Sequence, residues 1–409
     1  MRKRITLLAV LLLLLSACQS QTEEATETTP PETEAPAVTE SGETGDASSS
    51  YEFSIDQYEL QMMGLFPMEA TPALDDPVSE EDAEALKKAY TDKAKAVGAD
   101  AALAIQPEES YRTVFKQAQE GIRGIYAEHE AGGKGAFYKV ENNGNTAYLF
   151  GSIHIGEAAM YPIEAARMNA FEQADELWVE LDLTDPQIMA ELTLFQLRDD
   201  GKTLEEDIGT ERLDRFVRIM EDSGIPVIKD NLQQIKSWTI LNQLDVLPVL
   251  NENPYSVMQG VDQYFMNLAN ATDKPIHSVE TVEIQMSTIE ELYAPDPERL
   301  LTDIDEALDR VSSEEERQKS IEELQTMRRA WTIGDLDALM QVATEDADEQ
   351  MQILTQKRDA LMADKLAELL ESPDKKTVFV MVGAAHYVPD DSVIGYLRDM
   401  GYTVEELQN

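Results

Sequence analysis

The chain has 409 residues, with 33 Lys+Arg set against 80 Asp+Glu and a formal net charge of −47. That balance excludes a nucleic-acid partner, because neutralising phosphates takes clustered Lys and Arg, and it excludes a basic membrane-surface patch. The single cysteine, Cys18, excludes an intrachain disulfide framework and a thiolate metal cage.

Residues 1–17 read as a signal peptide. Arg2, Lys3 and Arg4 form a basic start, and Ile5 to Leu15 is an apolar run too short for a membrane span. Leu15-Ser16-Ala17-Cys18 has the form of a lipobox, where cleavage exposes a cysteine that is then acylated. The expectation is a chain lipidated at Cys18, extracytoplasmic and lipid-anchored to the bacterial cell membrane; the plainer alternative is an uncleaved anchor helix. Residues 18–50 follow as a tether of Thr, Glu, Pro and Ser, with eight acids and no Lys or Arg. Nothing in it is apolar enough to offset the entropy of ordering.

Residues 51–132 read as a small helical region. Ser79-Glu80-Glu81-Asp82 is a helix start, and Tyr111, Val114, Phe115, Ala118, Ile122 and Ile125 form an amphipathic stripe. Packing or partner binding is the expected role, with no chemistry. From residue 133 to 409 the pattern is α/β. Asn142-Asn143-Gly144-Asn145 joins two apolar runs as a hairpin. A helix then leads to the strand Leu177–Leu183, and mostly helical segments flank a short strand near residues 274–280. The last unit is the strand Thr377–Val382, a helix over 392–400 and a strand over 402–404.

Two of the four histidines share a setting. Gly151-Ser152-Ile153-His154 and Gly383-Ala384-Ala385-His386 each end an apolar strand. Chance predicts only about 0.2 Gly-x-x-His matches for this content of Gly and His. Ligands of open α/β sheets bind beyond the carboxyl ends of strands, so two such ends, if adjacent, aim two imidazoles at one crevice. Glu180 and Asp182 alternate on one strand, and Glu280 closes another. Two imidazoles with carboxylates make a mixed N/O set suited to Zn²⁺, Mn²⁺, Co²⁺ or Fe²⁺. Against this, a lone strand-end His is an ordinary capped polar residue. Glu180 also reads as a salt-bridge partner, Asp182 as a loop acid, and Arg358 as either an exposed cation or a carboxylate clamp. His277 could be a ligand but reads better as a solvated strand residue; His129 reads as surface, and Trp238 and Trp331 as core.

These residues resemble the TraB/GumN family, related to the Tiki metalloproteases. The resemblance rests on Tyr148 to Gly156, Val179-Glu180-Leu181-Asp182, Gly260-Val261-Asp262-Gln263-Tyr264-Phe265, Val279-Glu280-Thr281 with Gln285, Trp331 to Asp335, Lys357-Arg358-Asp359 and Val382 to His386. Asp359 departs from the family's usual Arg-Asn, and Pro389-Asp390-Asp391 replaces a glycine-containing turn. The resemblance implies an α/β fold with a central mixed sheet of two similar halves and many surrounding helices. It implies a metal-dependent, peptidase-like hydrolase holding a divalent ion (Mn, Zn or Co) through His154, His386 and Glu180. Glu280 would be a further catalytic residue, with Asp182, Arg358, Gly151 and Gly383 around them and a peptide as substrate. The alternative is a non-catalytic lipoprotein holding a metal, a signalling peptide or a haem-like ligand, the last because Tyr161 and Tyr387 lie near the histidines in sequence.

Overall fold

The computed structural model describes residues 53–293, 296–344 and 349–407. The signal peptide, Cys18 and the acidic tether lie outside the described residues.

Three helices come first: α1 (Ile55–Met62), α2 (Glu80–Ala96) and α3 (Tyr111–Glu128). Each is capped by a serine, Ser54, Ser79 and Ser110, whose side chain accepts an orphan N–H of the first turn. The sheet begins with β1 (Ala136–Asn142) and β2 (Asn145–Ser152), paired antiparallel through the two-residue turn Asn143-Gly144. Both turn residues have positive φ, 52° and 87°, as a twisted hairpin of this length demands. Then come α4 (Ala165–Gln173) and β3 (Glu176–Val179), followed by α5 (Pro186–Gln196), α6 (Leu204–Ile208), α7 (Thr210–Asp222), α8 (Lys229–Leu232), α9 (Trp238–Glu252) and α10 (Val261–Ala271). After β4 (Ile276–Ser278) the chain forms α11 (Val282–Tyr293), α12 (Pro297–Ser312), α13 (Glu314–Ile333), α14 (Leu336–Thr344) and α15 (Glu349–Glu371). It closes with β5 (Thr377–Gly383), α16 (Val393–Asp399) and β6 (Val404–Glu406).

The six strands form one mixed sheet in the order β4-β3-β5-β2-β1-β6. β4, β3, β5 and β2 run parallel, while β1 is antiparallel to both of its neighbours. β5 sits between β3 and β2 and is apolar on both faces, as a covered parallel strand must be. Phe379 and Met381 join one core with Phe137, Phe150, α4, α10 and the N-terminal helices. Val378, Val380 and Val382 join another with Met362, Ala363 and Leu366 of α15 and Leu397 of α16. A third core, built by α5 to α9 with α11 and α12, is a helical lobe beside the strand ends.

β3 is shorter than the pattern suggested. The strand ends at Val179, so Glu180 and Asp182 lie in the loop beyond it and not on a shared strand face. The last strand is also displaced, to Val404–Glu406, because Tyr402 N–H still bonds the Leu397 carbonyl to close α16.

Candidate functional site

The four parallel strands end on one edge. Ser152 pairs with Gly383, Val179 with Met381, and Val179 with Ser278. Each end delivers one side chain: His154 after β2, His386 after β5, Glu180 after β3 and Glu280 after β4. Imidazoles 232 positions apart thus belong to adjacent strands.

Gly383 is the hub. A Cβ there would lie 3.2 Å from Glu180 Oε1, 3.7 Å from His154 Nε2 and 3.8 Å from His386 Cδ2. Its φ of −53° is ordinary, so the glycine serves close approach: a Cβ would press on the Glu180 carboxylate, which would have to give by a few tenths of an ångström. Its N–H donates to Glu180 Oε1 at 2.6 Å, and His386 Nε2 stands 3.9 Å from the same oxygen. The other Glu180 oxygen accepts from Gln285 Nε2 at 3.1 Å and from Arg358 at 3.2 Å. Arg358 also grips Glu280, Nε to Oε1 at 2.9 Å and a second nitrogen to Oε2 at 2.5 Å. Both Glu280 oxygens are therefore committed to the guanidinium, and Glu280 reaches the site through Arg358.

Each imidazole is fixed from behind by a carboxylate. His154 Nδ1 donates to Asp262 Oδ2 at 2.7 Å, and Ser152 Oγ donates to the other Asp262 oxygen. His386 Nδ1 donates to Asp359 Oδ1 at 2.5 Å. An ionised carboxylate has no proton to give, so each Nδ1 carries the hydrogen and each Nε2 is left for the site. Asp262 was not singled out as a site residue from sequence. It opens α10, whose start locks onto the histidine loop: Val261 N–H bonds the Ile153 carbonyl at 2.9 Å, and a Cβ on Gly260 would come within 2.4 Å of the His154 carbonyl. Arg328, also unread in the sequence, is buried on α13 and pins the same loop through the Ile155 carbonyl, Glu157 and Ser256. Trp331 is the core residue expected, and its Nε1 donates to the Gly151 carbonyl at 2.7 Å.

Other residues lie apart. Asp182 was expected, by resemblance, to orient the site; its carboxylate instead caps Thr184 N–H at 2.9 Å and binds the Thr184 hydroxyl. His277 stacks on Trp178, 4.7 Å between rings, with Nε2 3.8 Å from Glu176. His129 is exposed at the end of α3. Tyr161 and Tyr387 are buried and their hydroxyls donate to the Gln259 and Val380 carbonyls, so neither phenol is presented as a ligand.

The charges are coupled. Burial would raise the Glu180 carboxyl, but the charges of His386, Arg358 and His154 and the Gly383 N–H outweigh it and hold it down to about 2. Burial would lower His154, but Asp262, through charge and hydrogen bond, and then Glu180 lift it to about 9. His386 is raised in the same sense, against burial, by Asp359 and then Glu180. With neutral imidazoles, four acidic side chains (Glu180, Glu280, Asp262 and Asp359) outnumber the one guanidinium of Arg358, an acidic excess that burial eases by raising the Asp359 carboxyl. Two protons or one divalent cation offset that excess to the same degree.

Among the described residues, no three His, Cys, Asp or Glu side chains stand in a coordinating array. The donor chemistry nevertheless fits a divalent ion. Two Nε2 atoms with carboxylate-held Nδ1 hydrogens are the usual form of metal-ligating histidine, and Glu180 meets both of them around Gly383.

A sequence profile of the TraB/PrgY/gumN family matches residues 136–406, and the chain belongs to that family. Metalloprotease TIKI2 of Xenopus tropicalis is 24% identical over 304 residues, 63% of this chain and 57% of that protein. Metalloprotease TIKI1 of Danio rerio is 24% identical over 304 residues, 63% of this chain and 60% of its own length. The uncharacterized protein YbaP of Escherichia coli (strain K12) is 27% identical over 156 residues, 38% of this chain and 55% of YbaP. The chain thus spans less than two thirds of these relatives, and no solved structure matches it.

Proposed function

We propose that the protein is a metal-dependent, peptidase-like hydrolase, held outside the cell membrane by a lipid on Cys18. The observation that carries this reading is the pair of carboxylate-backed imidazoles at adjacent strand ends, gathered with Glu180 around Gly383. The Tiki relatives, named as metalloproteases, support the reaction class.

His154 Nε2, His386 Nε2 and Glu180 Oε1 are the donors that would hold the ion. When bound, a divalent metal supplies Lewis acidity toward a carbonyl. The chain's own residues do the rest. Asp262 and Asp359 fix the imidazole tautomers and ring planes. Arg358 and the Gly383 N–H favour the ionised form of Glu180, which suits an anionic donor. Arg358 keeps Glu180 and Glu280 together and compensates their charge. Gln285 turns Glu180 with its amide N–H, and its own carbonyl oxygen is buried without a hydrogen-bond donor.

Metal analysis of the purified protein, with turnover of a fluorogenic peptide mixture in Mn²⁺, Co²⁺ or Zn²⁺, tests the proposal. Bound metal and cleavage in the wild type, both lost in His154→Ala and His386→Ala, are expected. A folded protein that takes up none of these ions and cleaves no peptide ends the reading. Incorporation of labelled palmitate, absent in Cys18→Ala, tests the anchor separately.

A further inference from the structure

The helices that precede the family-matched residues are tied to the catalytic side of the fold at one buried carboxylate. Glu59 of α1 is completely buried. It accepts hydrogen bonds from Gln119 and Arg123 of α3, the latter at 2.5 Å, and from the Tyr264 hydroxyl of α10 at 2.5 Å. Burial and then the Glu59 charge push the Tyr264 phenol well above its ordinary value, so it stays a donor. One turn further on, Asn267 Nδ2 donates to the Tyr58 hydroxyl at 3.0 Å, and Tyr58 stacks on Tyr264 with ring centroids 6.0 Å apart. Two successive residues of α1 thus grip one face of α10.

The other face of α10 carries Asp262. Residues 262 and 264 are two positions apart, about 200° around a helix, so they project to opposite sides. Tyr264 points to α1, and Asp262 points to Ser152 and His154. The bond from Val261 N–H to Ile153 fixes where α10 starts, and Phe265 packs on Phe150, Phe171 and Phe379, but apolar packing sets the roll of a helix less sharply than directed polar bonds do. The contacts from Tyr58 and Glu59 oppose rotation about the helix axis.

We propose that Glu59, through Tyr264, is a positioning residue for His154: the N-terminal helical segment is a clamp that sets the roll of α10 and thereby the aim of the Asp262–His154 pair. Its meaning for catalysis rests on the hydrolase reading above. Its geometry does not, so the test uses metal-free protein and needs no turnover.

The purified full chain is labelled with ¹⁵N-histidine, which gives four imidazoles to follow, and His154→Gln assigns the His154 signal. Tyr264→Phe removes only the bond from α10 and leaves Glu59 with Arg123 and Gln119. Glu59→Leu removes the whole knot, and Glu59→Gln keeps an acceptor for the phenol. In Tyr264→Phe and Glu59→Leu the His154 Nδ1–H resonance should leave its downfield, hydrogen-bonded position and broaden, while the His386 resonance stays put; Glu59→Gln should restore the wild-type position. An unchanged His154 resonance in folded Tyr264→Phe overturns the proposal. So does an equal shift of His386, which would mean general loosening.

Discussion

His386 takes its carboxylate from Asp359 of α15, the helix packed on the sheet face formed by Val378, Val380 and Val382, and the ring is 3% exposed. His154 takes its carboxylate from Asp262 of α10, on the opposite side of the sheet, and its ring is 17% exposed. Both Nδ1 atoms are held by the same chemistry, yet one partner is sealed within the sheet's own packing and the other depends on a helix gripped by the N-terminal region. The rule at this edge is that a shared motif fixes the ring's chemistry, while the helix behind it fixes how firmly the ring is aimed.

The largest effect should come from the group both halves share. Arg358→Met would leave Glu280 as a buried, unpartnered charge and strip Glu180 of its guanidinium, and urea unfolding should show a loss of about 3–5 kcal/mol. A loss below 1 kcal/mol would mean that the two glutamates do not depend on that guanidinium. Next comes the pH response of metal-free protein. The His154 value rises from 6.5 to about 9 on folding, so the stability it contributes is complete below pH 6.5 and disappears as pH climbs toward 9. The decline is at most about 3 kcal/mol. Denaturant titrations across that window should show the decline in the wild type and a flatter profile in His154→Gln; parallel profiles would refute the assignment.

Asp359→Asn and Asp262→Asn then separate the two ends directly. Each keeps an acceptor for Nδ1–H but removes its charge, and calorimetric Mn²⁺ titration should show affinity falling about 10–100-fold. The buried pair at His386 should lose more than the half-open pair at His154, and the reverse order would break the comparison. Asp182→Ala should be the mildest change. Loss of a local cap costs about 1 kcal/mol, and metal binding should be untouched.

Much of this edge was legible beforehand. The paired Gly-x-x-His strand ends, Glu180 and Glu280 were visible because short strands and glycine ends are local signals, whereas Arg358, mid-helix, read equally as an exposed cation or a carboxylate clamp and was set at the site only by the family resemblance. Asp262 was not visible, because its contact with His154 spans 108 positions and depends on how α10 docks; no periodicity encodes that. Its one local hint was the Gly260-Val261-Asp262 helix start, where a glycine admits another backbone. Asp359 stood out as a departure from the family pattern, but its bond to His386 needed the packing of α15 to be known. The end of β3 was misread because Glu180 and Asp182 mimic strand alternation. In the fold, the chain turns after Val179 so that Glu180 can meet Gly383 and Arg358. The N-terminal helices were read correctly as helices, whereas their hold on α10 lay beyond any sequence pattern.

The place of β5 has a consequence for biogenesis. The strand that fills the gap between β3 and β2 is the fifth in chain order among the described strands, made well after both of its neighbours. Until it inserts, the sheet is split and the two imidazoles have no common crevice. A chain whose β5 has not yet been made therefore cannot bring His154, His386 and Glu180 to one edge, and that arrangement forms only once the strand inserts.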